Sequence, residues 1–461
     1  MMRSMFSGVS GLRVHQTKMD VISNNIANIN TVGFKRSSVS FKDSFNQTLS
    51  SASSANQDRG GINPQQIGLG ANVGSIVTVM GQGAAQRTDY GSDLMIDGEG
   101  FFIVKDATGF SFTRAGVFEV DAKGNLVDPN GFNVCGWKAT DDPDNPGQQK
   151  IVQDTVTPIN IYEGNNLYSP AEMTTNIEFT GNFNQTTNPT QKNTISFYDS
   201  QGNKYTINIQ FDKVPNSNPD EWTVSIPQIN DPNSAANGMI EVTVNGTDKA
   251  YLAGGSITLD ATGLFFNGDG KLTGTDAANS GKTDIRLTGI DLTTLQKIEN
   301  GALVGAGMNG TVPNELIVDF KTVTQFNSKV TVTSETKDGN TAGNMTGFNI
   351  DANGIIRGTY SNGKTKILAQ IPLANFKNPA GLEKVGSNRY RETGNSSEFD
   401  GIGQEASSLG STLQGGALEM SNVDLSYEFS EMITTQRGFQ ANSRIITTSD
   451  EMIQELVNLK R

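Results

Sequence analysis

The amino-acid sequence predicts a mainly β protein with terminal α-helices, in which nested antiparallel β-domains form the middle and the two chain ends form a helical coiled-coil domain. Three observations predict it. Apolar residues recur at heptad spacing only near the two termini. Between them, short apolar runs alternate with Gly, Asn, Asp and Pro turn signals. The apolar fraction is only 35 %, and 51 of the 461 residues are glycine, which suits short strands and many turns rather than long buried helices.

Near the N-terminus Met5, Leu12, Met19 and Ile26 recur every seven residues, with Val9, Ile22 and Ile29 at intermediate steps. The spacing predicts a helix within residues 1–33 that stops around Thr31 to Gly33, where glycine can take the left-handed conformation that closes a helix. Residues 34–73 read as a linker because Gln47 to Asn72 is rich in Ser, Asn and Gly. The second helix, within 416–461, carries Leu425, Met432, Phe439, Ile446 and Ile453 at strict heptad spacing, flanked by Phe429, Leu456 and Leu459. Ser421 and Asp424 form a capping-box-like start.

Both stripes could pack on the β-domains. The alternative is that each helix covers part of the other and leaves the remainder for neighbouring copies, and the linker favours it by holding the first helix away from the strands. Met5, Leu12, Met19, Ile26, Leu425, Met432, Phe439, Ile446 and Ile453 are then the candidate polymerisation interface.

Residues 74–165 read as the first part of one β-domain: runs such as Phe101 to Lys105 and Val117 to Asp121 are separated by turns at Lys123-Gly124-Asn125 and Pro129-Asn130-Gly131. Residues 166–345 read as an inserted second β-region, with a hairpin in Ile195 to Phe211 around Asp199-Ser200-Gln201-Gly202 and strands at Trp222 to Ile226 and Leu316 to Thr324. Residues 346–415 return to the first β-domain, with Asn353-Gly354 and Asn362-Gly363 as hairpin turns, and then lead to the C-terminal helix.

Several function classes lose support from composition. A formal net charge of −13 and no Lys/Arg cluster argue against nucleic acid. One cysteine and one histidine exclude an intrachain disulfide framework and a His/Cys zinc cluster, so no metal and no cofactor is expected. No run approaches the ~20 apolar residues of a membrane span, so membrane insertion is not expected, and Met1 to Val14 is interrupted by Ser and Gly where a signal peptide is continuously apolar. Cytoplasmic residence and export without N-terminal cleavage both stay open.

The pattern G-x-x-x-x-G-K-[ST] occurs at Gly358 to Thr365 and raises a nucleotide-hydrolysing enzyme as an alternative. A phosphate loop must lead into a helix, whereas Lys366 to Pro372 reads as a strand and Asn362-Gly363 as a hairpin turn. Asp141-Asp142-Pro143-Asp144-Asn145 and Asn267-Gly268-Asp269-Gly270 contain oxygen ligands for calcium but lack the full loop spacing, and read as turns. His15, between Leu12 and Met19, reads as a helix-surface or interface residue, and Cys135 as a small buried hydrophobe. The carboxylates are dispersed, and no general acid and base pair is motivated, so the chain is expected not to be an enzyme.

Met5 to Leu12 (MFSGVSGL) and Ile22 to Lys35 (ISNNIANINTVGFK) resemble the shared N-terminus of the flagellar rod, hook and junction protein family. Gly91 to Val104 (GSDLMIDGEGFFIV) with Thr113 to Gly116 resembles the first β-domain of distal rod and hook members, and Gly416 to Asp424 with Gln436 to Asn442 resembles the matching C-terminal signature. These segments fit a distal rod subunit nearly as well. The large second β-region, with Thr324-Gln325-Phe326, Tyr360 to Gly363 and Ala374 to Leu382, resembles hook members rather than rod. The resemblance implies a subunit that polymerises with itself into a flexible tube transmitting torque, that leaves the cell through the flagellar export apparatus uncleaved, and that meets distal rod, hook cap and hook–filament junction proteins.

Overall fold

The structure is a computed structural model that describes residues 2–54, 60–141, 149–186, 190–215, 217, 220–275, 281–299, 302–307 and 310–459. Two helices lie at the ends of the chain and strands fill the rest, so the mainly β class with terminal helices holds. The chain divides into two compact units: Met1–Asn166 with Gly347–Gly358 and Thr365–Arg461, and Leu167–Thr346 with Thr359–Lys364.

In the first unit, helix α1 spans Met2–Ala27 and helix α2 spans Leu425–Asn458. The start of α2 follows from Asp424, whose carboxylate accepts from the backbone N–H groups of Ser426 and Tyr427 and so satisfies two donors that have no partner within the helix. Helix α1 ends earlier than Thr31 to Gly33, because turns over Asn28 to Thr31 replace its last expected turn. Gly33 does adopt a positive φ of 70°, but for a different reason. Its backbone passes against Ala115, where a Cβ would come within 2.6 Å of the Ala115 nitrogen.

Residues 34–73, expected to be a linker, instead supply most of two paired ladders, one of which runs on to Thr78. Ser37–Asp43 pairs with Ala71–Thr78, and Asn46–Ser50 pairs with Gln65–Gly68, all antiparallel. Alternating Ser and apolar residues can satisfy a ribbon's backbone across the ladder while leaving most side chains exposed, which composition alone cannot distinguish from a linker.

The β-domain of this unit is built on Phe101–Asp106, which pairs with Gly109–Thr113 and with Asn133–Asp141. Returning strands complete it from the far end of the sequence: Leu373–Ala374 pairs with Phe101–Asp106, and Arg389–Arg391 with Gly109–Thr113. Phe101, Ile103, Phe112, Trp137, Phe376 and Tyr390 form a buried core there. The turn signals work through one repeated device, in which Asp121, Asp128 and Asp351 each accept backbone N–H groups two and four residues ahead, followed by a glycine with positive φ. The expected strand over Val117 to Asp121 is reduced to Glu119–Val120, because the Asp121 turn takes over its end.

In the second unit the hairpin Gln191–Tyr198 to Lys204–Lys213 aligns Ile195 with Ile207 and Phe197 with Tyr205. Among the described residues, Asn176–Asn184 departs from the antiparallel expectation and runs parallel to Glu315–Phe326. The long intervening chain supplies the crossover that a parallel pair requires. Phe183 stacks on Trp222 at 4.6 Å between ring centroids, and Phe179 on Phe320 at 5.0 Å, at the centre of the largest apolar cluster.

Candidate assembly surface

Helices α1 and α2 run antiparallel. Ser4 Oγ lies 3.5 Å from Ser449 Oγ, Lys18 pairs with Glu431, and Asn25 Nδ2 donates to Glu428 Oε1 at 3.2 Å. Small residues set the close approach: a Cβ on Gly11 would meet the Asn442 side chain at 2.7 Å, and one on Gly438 would meet the His15 ring at 2.6 Å. The residues of α2 that become fully buried are Glu428, Thr435 and Ser449, which are heptad-related but polar. On α1 they include Val14, Ile22 and Asn25.

The helix pair therefore does not fully bury the apolar heptads, although Ile446 lies against Gly8 of α1. Met5, Leu12, Met19 and Ile26 on α1, and Met432, Phe439, Ile446 and Ile453 on α2, are half-buried, while Leu425 is exposed. More apolar surface lies outside these stripes, at Phe6 and Val9 on α1 and at Phe429, Ile433, Ile445, Met452, Leu456, Val457 and Leu459 on α2. Val9, Phe429, Leu456 and Leu459 are read from the sequence as flanking the stripes, whereas Phe6, Ile433, Ile445, Met452 and Val457 fall outside a reading by one heptad position. This apolar surface on the helix pair is open to water in the single chain.

The pair is fastened to the β-domain by a buried polar joint that no periodicity reveals. Glu419 Oε1 accepts from Lys35 Nζ at 2.5 Å and from the Gly83 N–H at 2.8 Å, and Glu419 Oε2 faces the Arg114 guanidinium at 3.4 Å. The side chains of Lys35 and Glu419 are 0 % exposed. Burial pulls the Lys35 ammonium below the usual lysine range, with Glu419 acting against that shift, and burial likewise lowers Arg114. Asn422 accepts from the Arg36 N–H and donates to the carbonyls of Val79 and Gly81. Asn25 exchanges two hydrogen bonds with the Ser37 backbone. Residues far apart in the sequence thus close one joint, and their charges are spent on structure.

The other candidates resolve into structure as well. At Tyr360 to Lys364 the Gly363 N–H donates to the Tyr360 carbonyl and the Tyr360 N–H to the Lys364 carbonyl, a tight turn that enters the strand Thr365–Gln370 rather than a helix. This overturns the phosphate-loop alternative, and Lys364 pairs with Glu172 at 3.6 Å on the surface. Asn267 caps its own turn through the N–H groups of Asp269 and Lys271, while Asp142 to Asn145 lie outside the described residues. Among the described residues no three His, Cys, Asp or Glu side chains gather as a metal site needs, and no helix is long and apolar enough to cross a membrane. His15 is part-buried against Phe41, with its pKa lowered by desolvation and then by Lys18, and Cys135 is buried.

Four family models match the chain: "Flagella basal body rod protein" over residues 5–35, "Flagellar hook protein FlgE/F/G D1 domain" over 95–178, "Flagellar basal body protein FlaE D2 domain" over 166–340, and "Flagellar basal body rod FlgEFG protein C-terminal" over 414–459. The chain is 39 % identical to a flagellar hook protein FlgE of Borreliella burgdorferi and 37 % identical to one of Treponema pallidum, with all of each chain covered in both comparisons. It is 29 % identical to a flagellar basal-body rod protein FlgG of Bacillus subtilis, again over all of both chains.

Proposed function

We propose that this chain, which belongs to the flagellar hook protein family, builds its polymer through the uncovered sides of its terminal helix pair. As a member of that family it is a structural subunit of the flagellar hook and not an enzyme. The observation that carries the assembly reading is that the heptad residues of both helices stay half-buried or exposed in the single chain, while the fully buried residues of α2 are the polar Glu428, Thr435 and Ser449. In our reading Met5, Leu12, Met19, Ile26, Leu425, Met432, Phe439, Ile446 and Ile453 complete their burial against neighbouring copies.

The finer roles proposed here rest on the motif resemblance. Residues 1–33 and 416–461 serve as the helical assembly domain of a flexible, torque-transmitting tube. The chain passes uncleaved through the flagellar export apparatus to the outside of the cell, where distal rod, hook cap and hook–filament junction proteins are its neighbours.

The test is polymerisation of the purified chain and of Phe439→Asp, followed by electron microscopy, with thermal unfolding of both monomers. Curved tubes from the native chain, and none from a variant that melts unchanged, are the expected result. Straight tubes would favour a rod role. A lowered monomer melting temperature would place the stripe within the fold of one subunit.

A further inference from the structure

Two uncovered features of the first unit complement each other. A groove runs beside α1, walled by Phe6, Val9 and Val14 on the helix and by Leu69 and Val73 on the ribbon, with Arg13 also lining it. Phe6 is 68 % exposed in the single chain. The second feature is the end of α2 beyond the level of the Ser4–Ser449 contact. There Met452, Leu456 and Leu459 follow one another at steps of four and three residues, the spacing of anchors on one helix face that docks into a groove. Their exposures are 50 %, 51 % and 83 %. Glu451 and Glu455 flank this face, and neither they nor Arg13 takes part in an ion pair among the described residues.

We propose that the last turns of α2 in one subunit dock into the groove between α1 and the ribbon of a second copy, with the glutamates facing Arg13. This inference rests on the assembly reading above and names a contact within it. The occupant cannot come from the same chain. Gly8 lies against Ile446 and Asn442, so Leu456 is ten residues farther along α2, about 15 Å away at the rise of an α-helix. Groove and helix end are different surfaces of one subunit, so each copy offers one and fills another, and such head-to-tail contacts propagate into an open helical polymer. The apolar anchors supply affinity, and the opposite charges at the rim set which copy and which orientation are accepted.

Paired cysteines test it in the full chain. Val9→Cys is combined in turn with Met452→Cys, Leu456→Cys and Leu459→Cys, the chains are polymerised, and diamide is added as oxidant. Disulfides require Cα atoms within about 7 Å, so no pair can close within one subunit. The native Cys135 is buried and serves as a silent control. The expected result is a ladder of covalent multimers from at least one double variant and only monomer from each single variant. Native-like tubes without a ladder from any pair overturn this contact and leave the assembly reading standing, as do covalent dimers from Val9→Cys alone. Failure of the native chain to polymerise overturns both. As a second readout, Leu456→Asp, at an exposed position, is expected to raise the critical concentration at least tenfold with unchanged monomer melting; an unchanged critical concentration counts against the contact.

Discussion

Removing the carboxylate of Glu419 is the sharpest perturbation of the joint between the helix pair and the β-domain. Glu419→Gln keeps the shape but removes the negative charge, so the fully buried Lys35 ammonium keeps only neutral acceptors, the amide oxygen and the Gly81 carbonyl at 2.9 Å, and the buried Arg114 guanidinium loses the carboxylate it faces. Breaking a buried pair from one side costs about 3–5 kcal/mol, because the surviving charge stays desolvated. Lys35→Met should cost less: the carboxylate still accepts from the Gly83 N–H at 2.8 Å and still faces Arg114, and the methionine fills the vacated space. For a unit of this size the Glu419→Gln cost corresponds to a melting temperature roughly 5–9 °C lower. Scanning calorimetry of the monomer reads it, and repetition at high salt separates it from surface electrostatics, since salt screens buried pairs only weakly. A Glu419→Gln melt within about 2 °C of the native chain, or a Lys35→Met cost equal to or above that of Glu419→Gln, would refute the reasoning.

Three further outcomes are expected. Gly33→Ala combines a φ of +70° with a Cβ placed 2.6 Å from the Ala115 nitrogen, and should destabilise the first unit by at least about 1–3 kcal/mol in denaturant titration; a neutral result would show that this backbone can move aside. Burial pushes the Cys135 thiol up to about 12, from an ordinary value of 9.0, so the folded chain should resist iodoacetamide at pH 8 and react only when unfolded. The sign follows for stability: the contribution of this thiol is fully present below pH 9.0, where both states are protonated, and is lost as pH rises towards about 12. Lys364→Ala removes an exposed pair with Glu172, typically worth about 0–1 kcal/mol, and should leave assembly intact; calorimetry that detects magnesium-dependent ATP binding by the native chain and its loss in the variant would reopen the phosphate-loop alternative.

Local rules carried much of this fold. The helix at each end and the hairpin turns at Asp121, Asp128 and Asp351 were legible because each depends on residues within a few positions of one another, where backbone geometry and side-chain hydrogen bonding decide the outcome, whereas the capping box read from Ser421 and Asp424 gives way to Asp424 alone as the N-cap. The turn at Tyr360 to Lys364 was legible for the same reason, against a motif whose chemistry required a helix.

What tertiary structure alone decided involves partners far apart in the sequence. Residues 34–73, read as a linker from the composition of Gln47 to Asn72, instead pair across a long hairpin, because ladder hydrogen bonds are available to almost any sequence once its two halves are held side by side. The polar seam of α2 could not be separated from its apolar stripe by periodicity, since Glu428, Thr435 and Ser449 follow the same heptad as any buried position, and the choice between the two faces came from the close approach at Gly11 and Gly438. Lys35, Arg114 and Glu419 lie in segments that carry the family resemblance, but nothing local shows that the three meet. A buried charge is tolerable only when its partner is in place, and that placement exists only after the two ends of the chain have met on the β-domain.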